Sequence, residues 1–166
     1  MKKIFISYSW DSLEHKEWVA KLADELEKFE DFHVCLDQFD LDSKMDRHLF
    51  MENAVYESDV VIVISTKEYA RKANARTGGV GEETFFNTGK LWRDFPSEKR
   101  AHTLNILREK EGTPRYLENF FHIDFTDDLQ FEEKLSDLIL EINDNTKRVR
   151  PAKTKGLSTA KKKIIS

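Results

Sequence analysis

The chain has one cysteine, Cys35, so no internal disulfide can form. It sits in an apolar stretch, where a thiol is expected to pack as a small buried hydrophobe. Long hydrophobic runs are also missing. Nothing approaches the roughly 20 consecutive apolar residues of a membrane helix, and no membrane partner is expected. The opening Met1-Lys2-Lys3-Ile4-Phe5-Ile6 offers three apolar residues before Ser7-Tyr8-Ser9-Trp10-Asp11 ends the run, too few for the core of a secretory leader. These absences favour a cytoplasmic protein. The five histidines, His15, His33, His48, His102 and His122, are scattered, and no His/Cys/acid cluster has metal-ligand spacing, so no metal is expected. There is no Gly-x-Ser-x-Gly elbow to support a hydrolase triad. The segment Gly78-Gly79-Val80-Gly81 lacks the Gly-Lys-Ser/Thr ending of a P-loop. It follows a long loop and does not open directly off a strand, so it is not a dinucleotide fingerprint either. Its expected role is to let the backbone turn closely at the start of a helix.

What is present suits one domain: 166 residues, 35% charged and 39% hydrophobic. Charge is unevenly spread over a formal net of -4. Of the 27 Lys and Arg, eight lie in 147–166, which has no Asp or Glu; the remainder carries 19 basic against 31 acidic residues, a net of -12. A body that acidic repels a phosphate backbone, so nucleic acid is not an expected partner of the domain itself. Residues 1–145 are expected to form the domain. Residues 146–166, with Pro151, Gly156 and few large apolar side chains, are expected to be a disordered tail or a linker to a further module. Charge alone also allows a tail that meets nucleic acid or anionic lipid, or one that is simply solvated.

The order of elements follows from periodicity. Lys3 to Ser7 reads as a strand. Asp11 and Ser12 offer caps for a helix over about 12–29, in which Val19, Leu22, Leu26 and Phe29 recur at helical spacing and Asp11 with Glu14 resembles a capping box. His33 to Asp37 is a second strand, Gln38 to Asp46 a polar loop, and Leu49, Phe50, Ala54 and Val55 mark a helix ending near Ser58. Val60-Val61-Ile62-Val63-Ile64 is uninterrupted and β-branched, as a central parallel strand covered on both faces should be. A long polar stretch follows, then the glycines and a helix from Glu82 to about Trp92. Thr103 to Leu107 and Phe120 to Phe125 read as strands, and Gln130 to Asn143 as a helix with Phe131, Leu135, Leu138, Ile139 and Ile142 on one face. Five strands alternating with helices predict an α/β, flavodoxin-like, doubly wound parallel sheet in the order 2-1-3-4-5. Ligands bind such sheets beyond the carboxyl ends of strands 1 and 3. That rule selects Ser7 to Asp11, and the segment from Ser65 through the glycines to Glu83.

Ile4-Phe5-Ile6-Ser7-Tyr8-Ser9-Trp10-Asp11 resembles the opening strand and first loop of Toll/interleukin-1 receptor (TIR) domains. Ser58 to Ser65, followed by Tyr69-Ala70, resembles another part of the same family. Leu36-Asp37-Gln38-Phe39-Asp40-Leu41 is similar to the start of its BB loop. Ala73-Asn74-Ala75-Arg76-Thr77-Gly78-Gly79-Val80-Gly81-Glu82-Glu83 is similar to a segment of bacterial TIR effector domains, in which an acidic residue closes the motif and opens the third helix. The resemblance covers about 1–145. Two departures are present. Glu82 stands where the motif usually has an aromatic residue, and the tryptophan of animal adaptor-type TIR domains is replaced by the glycine segment.

The resemblance implies an NAD+ nucleosidase (NAD+ glycohydrolase) that cleaves the nicotinamide–ribose bond to give nicotinamide and ADP-ribose or a cyclic form. NAD+ is then the substrate and no separate cofactor is needed. The chemistry needs little: nicotinamide departs neutral from a ring nitrogen that is already cationic, so no general acid has to protonate it. Positive charge grows on the ribose as in other glycosyl transfers, and one preorganised carboxylate can offset it. Glu83 is the expected catalytic residue; the plain alternative is a carboxylate favouring the positive end of a helix. Glu82 reads as a solvated first-turn acid. Trp10 and Tyr8 are candidates to stack on nicotinamide or adenine, against partial core packing. Ser9 and Asp11 are candidates for ribose or phosphate, with Asp11 alternatively only a helix cap. Phe39 and Asp40 follow from the BB-loop resemblance, and Arg76 is a candidate for the pyrophosphate or a solvated loop residue.

The resemblance further implies activation by self-association into a homo-oligomer or filament, under a fused or partner sensor module, in bacterial anti-phage defence. A non-enzymatic TIR scaffold that acts only by self-association shares the same motifs. A phosphoacceptor receiver would need an aspartate where Ser65-Thr66-Lys67 stands. A deoxyribosyltransferase-like enzyme would act on deoxynucleosides instead of NAD+.

Overall fold

In the computed structural model, which describes residues 1–75 and 102–155, the β-branched run Val60–Ser65 is the middle strand of a five-stranded parallel sheet. In chain order the strands are β1 (Lys2–Ser7), β2 (Phe32–Cys35), β3 (Val60–Ser65), β4 (Thr103–Leu107) and β5 (His122–Asp124), and they lie in the order β2-β1-β3-β4-β5. Among the described residues the α-helices are α1 (Leu13–Glu27), a single turn α2 (Asp37–Asp40), α3 (Arg47–Glu57), α4 (Lys67–Asn74) and α5 (Phe131–Ile142). The predicted flavodoxin-like order 2-1-3-4-5 is the one observed.

Register puts apolar residues side by side: Ile4 opposite Val34, Ile6 opposite Ile62, Ile64 opposite Ile106. Alternation along each strand then divides the core in two. Ile4, Ile6, Ile62 and Ile64 pack with Val19, Leu22 and Leu26 of α1 and with Phe131, Leu135 and Leu138 of α5. Phe5, Val61 and Val63 pack on the other face with Ala54 and Val55 of α3, Tyr69 of α4 and Leu117. Every residue of β3 is buried, which is why its sequence shows no alternation of apolar and polar positions.

The helix starts are set by side-chain caps. Ser12 accepts from the backbone N–H of His15 at 3.0 Å, so Ser12 and not Asp11 caps α1. Asp46 accepts from the backbone of His48 and Leu49 at the head of α3. Thr66 accepts from Tyr69 N at the head of α4.

Several sequence expectations are corrected. The polar stretch after β3 begins with α4, a helix concealed because only Tyr69 and Ala70 of its eight residues are buried and two apolar positions make no recognisable stripe. The loop expected from Gln38 contains the turn α2. Phe29 lies beyond α1 and packs against Phe32, with ring centroids 5.7 Å apart. The last strand is three residues long, not six. The expected helix from Glu82 lies outside the described residues. Residues 145–155 form no helix or strand and are exposed. Among the described residues no helix is long and apolar enough to cross a membrane.

Candidate functional site

β1 delivers the chain to the carboxyl edge of the sheet at Ser7, and Tyr8 to Asp11 carry it across to the cap of α1. Pleating sends Ser7 and Tyr8 to opposite faces. Ser7 Oγ lies 3.0 Å from Tyr69 Oη, which lies 2.9 Å from Tyr116 Oη. This chain of hydroxyls ties the end of β1 to α4 and to the segment before β5. Burial first, then Tyr69, push the Tyr116 phenol well above its ordinary pKa.

Tyr8 joins the α1 side of the core, but its hydroxyl reaches the edge. It donates to Asp37 Oδ1 at 2.7 Å and accepts from Gln38 Nε2 at 2.9 Å. Burial, followed by the bond to the Asp37 carboxylate, raises the Tyr8 pKa strongly, so the phenol keeps its proton and remains a donor. Trp10 Nε1 donates to the other oxygen, Asp37 Oδ2, at 2.7 Å. Both oxygens of one carboxylate are thus held by side chains of the first loop. Asp37 stands where β2 ends and α2 begins, on the same carboxyl edge of the sheet as the loop after β1.

The Trp10 ring also carries two cations, with Arg47 Cζ 4.2 Å and Lys16 Nζ 4.6 Å from its centroid. Below it is a cavity of about 210 Å³ with an apolar floor of Phe5 and Ile6 and walls that include Tyr8, Trp10, Asp37, Arg47 and Lys72. Sites for small organic ligands usually span about 300–1,000 Å³. This one therefore accommodates a ring with part of a sugar, and not an entire dinucleotide.

On the other side of Tyr8 lies His15, stacked on Trp18 with the planes 5° apart and centroids at 6.4 Å. Its Nε2 is buried and, among the described residues, has no hydrogen-bond partner. Burial lowers its pKa most; Arg108 acts in the same direction, and Asp11 and Glu109 oppose it. Cys35 is free and half-buried, and its pKa is pushed up to about 12, by burial first and Asp40 second, which keeps the thiol protonated at neutral pH. Among the described residues no group of three His, Cys, Asp or Glu is placed to hold a metal ion.

The SEFIR domain family matches residues 2–132, most of the chain. The chain belongs to the SEFIR family. It is 33% identical to a crystal structure of a prokaryotic SEFIR domain, with a TM-score of 0.73; the match covers 86% of this chain and 99% of that one. No curated protein matches it. SEFIR domains are TIR-like, so the resemblance to TIR domains holds at the level of the superfamily, and the family within it is SEFIR.

In this SEFIR domain the fold brings together only part of the residue set selected from sequence. Tyr8 and Trp10 wall the cavity, and Tyr8 belongs to the core as well. Ser9 is fully buried, its hydroxyl donating to Asp11 Oδ1 and lying 3.3 Å from Thr66 Oγ1, so it braces the loop. Asp11 is exposed and braces Ser9. Asp40 accepts from Leu36 N at 3.1 Å and closes its own turn. Phe39 is 45% exposed and does not line the cavity. Glu83, Glu82 and Arg76 lie outside the described residues.

Sequence reasoning missed Asp37, Arg47 and Lys72. Asp37 has a usable signal, an acidic residue closing the expected second strand, but in the sequence it stands out only as that strand's last residue and as part of the BB-loop stretch. Arg47 and Lys72 are single cations on helices in a chain rich in charge, and only the packing of α3 and α4 against β1 and β3 singles them out.

Proposed function

We propose that this SEFIR domain cleaves the nicotinamide–ribose bond of NAD+, with Glu83 as the carboxylate that offsets the charge on the ribose. The observation that supports the reading is the cavity at the carboxyl end of β1, under Trp10 and beside Tyr8, at the switch point of the sheet. In the reaction the C1′–N bond breaks and its electron pair leaves with nicotinamide, which departs neutral. The ribose becomes oxocarbenium-like, and an ionised carboxylate against it is stabilising in a site shielded from water. Water then adds to C1′ and loses a proton to give ADP-ribose; attack by an adenine nitrogen would give the cyclic form.

The size of the cavity fits the nicotinamide ring with part of its ribose. The rest of the substrate is then held by further groups, and self-association of TIR-like domains is a natural source of them. A sensor module that gathers copies, with anti-phage defence as its setting, completes this reading.

NAD+ consumption with product chromatography tests it, on the wild type and Glu83→Gln at low and high protein concentration, with deoxynucleosides in parallel. Turnover should rise with concentration and fall by roughly 10²-fold or more in the variant, as for loss of one preorganised electrostatic group, while self-association persists. A wild type that consumes no NAD+ at any concentration would overturn the reading.

A second reading, a non-enzymatic scaffold, is favoured by the apolar side chains on α2, α3 and the loop between them: Phe39, Met45 and Leu49 are 45%, 50% and 52% exposed. On that reading Glu83→Gln keeps the full biological effect.

A further inference from the structure

Arg47 occupies the first turn of α3, immediately after the Asp46 cap. The positive end of a helix disfavours a cation there, so the helix does not account for an arginine at this position. Its guanidinium lies 4.2 Å from the Trp10 ring centroid and, among the described residues, forms no ion pair. An arginine held against an aromatic face by its π-surface keeps its N–H fork free for a planar or tetrahedral anion. The carboxylate among the described lining residues, Asp37, already has both oxygens bonded by Tyr8 and Trp10. The second cation among the described lining residues, Lys72, is already paired with Glu68 at 3.9 Å. Arg47 is therefore the lining cation that, among the described residues, has no ion pair, and a guanidinium so placed attracts anionic ligands.

We propose that Arg47 is the anion-recognition residue of this cavity and takes the phosphate attached to the ribose, so that the site selects phosphorylated nicotinamide nucleotides over the bare riboside. The identity of the ligand, though not the anion site, rests on the NAD+ reading above. The structural order is simple: Asp37 fixes Trp10, Trp10 supports the guanidinium, and the guanidinium presents its free edge at the cavity.

Calorimetric titration of the full chain with nicotinamide mononucleotide and with nicotinamide riboside tests this without any need for turnover. Charge-assisted hydrogen bonds contribute about 1.5–3 kcal/mol, so the wild type should bind the mononucleotide about 10–100-fold more tightly than the riboside. Arg47→Gln should erase that preference, chiefly by weakening the mononucleotide, and Arg47→Lys should restore part of it. Thermal melting of both variants checks that they fold, and the Lys variant carries the test if the Gln variant does not. The proposal is overturned if Arg47→Gln keeps the preference, if the wild type shows none, or if the wild type binds neither ligand. A wild type that prefers the mononucleotide through Arg47 but consumes no NAD+ would overturn the catalytic reading alone and leave the phosphate site standing.

Discussion

Trp10 and Asp37 are joined by a single hydrogen bond, indole Nε1 to carboxylate Oδ2 at 2.7 Å, that ties the loop after β1 to the start of α2. The two residues are 27 positions apart, and the bond exists because β1 and β2 are parallel neighbours whose carboxyl ends emerge on the same edge. It makes the indole a fixed wall of the cavity, where an unattached surface tryptophan would swing freely.

That bond predicts a coupled pair. Trp10→Phe removes the donor and Asp37→Asn weakens the acceptor, and their effects on stability should be non-additive by about 1 kcal/mol, within the range for residues in one hydrogen-bonded network. Asp37→Ala should cost more than Trp10→Phe, about 1–3 kcal/mol, because it also strips the buried Tyr8 hydroxyl of its acceptor. Urea unfolding of the two single variants and the double variant measures both quantities; strictly additive effects would mean the bond does not form in solution.

His15 predicts a pH dependence. Its folded pKa lies below the ordinary 6.5, from burial first and from Arg108, against the opposing pull of Asp11 and Glu109. The unfolded chain therefore binds a proton at a pH where the folded chain does not. The resulting contribution is complete above about pH 6.5 and is lost as pH falls through the depressed value. His15→Phe should flatten the loss of unfolding midpoint between about pH 7 and pH 5, since the ring stack on Trp18 survives without a titrating group. An unchanged pH profile in the variant would assign the acid sensitivity to another group.

Gly112 predicts a steric requirement. A Cβ at this buried glycine would lie 2.8 Å from the backbone Cα and C of Thr66 and 2.9 Å from the carbonyl oxygen of Glu109, none of which is the end of a flexible side chain. Gly112→Ala should destabilise by about 1–3 kcal/mol, as overpacking does. The strain falls on the residue that caps α4 and meets Ser9, so the first loop should loosen too, read as increased acrylamide quenching of Trp10 in a protein lacking the other tryptophans.

How much was legible beforehand can be judged element by element. β3 was legible because five consecutive β-branched residues have few other uses, and α5 because Phe131, Leu135, Leu138 and Ile142 keep a helical period. α4 was not, because four of its eight residues are charged and only Tyr69 and Ala70 are buried, too few to mark an apolar stripe. At the site, Tyr8 and Trp10 were found because topology names the loop after β1. Ser9 was expected to face a ligand, yet it is buried, since the chain turns over the sheet edge there and its hydroxyl finds Asp11 and Thr66.

The sequence by itself determined the layered α/β architecture, because hydrophobic period, strand length and helix spacing are local properties; the strand order was then chosen as a common arrangement of such sheets, and the structure has it. Only the tertiary structure decided which polar groups meet: Asp37 with Tyr8 and Trp10, Arg47 with the Trp10 ring, and Ser7 with Tyr69. Those pairs join residues from 27 to 62 positions apart, and neither member carries a mark of the other. Their distances are set by parallel register and by the packing of helices on the sheet, which no local pattern records.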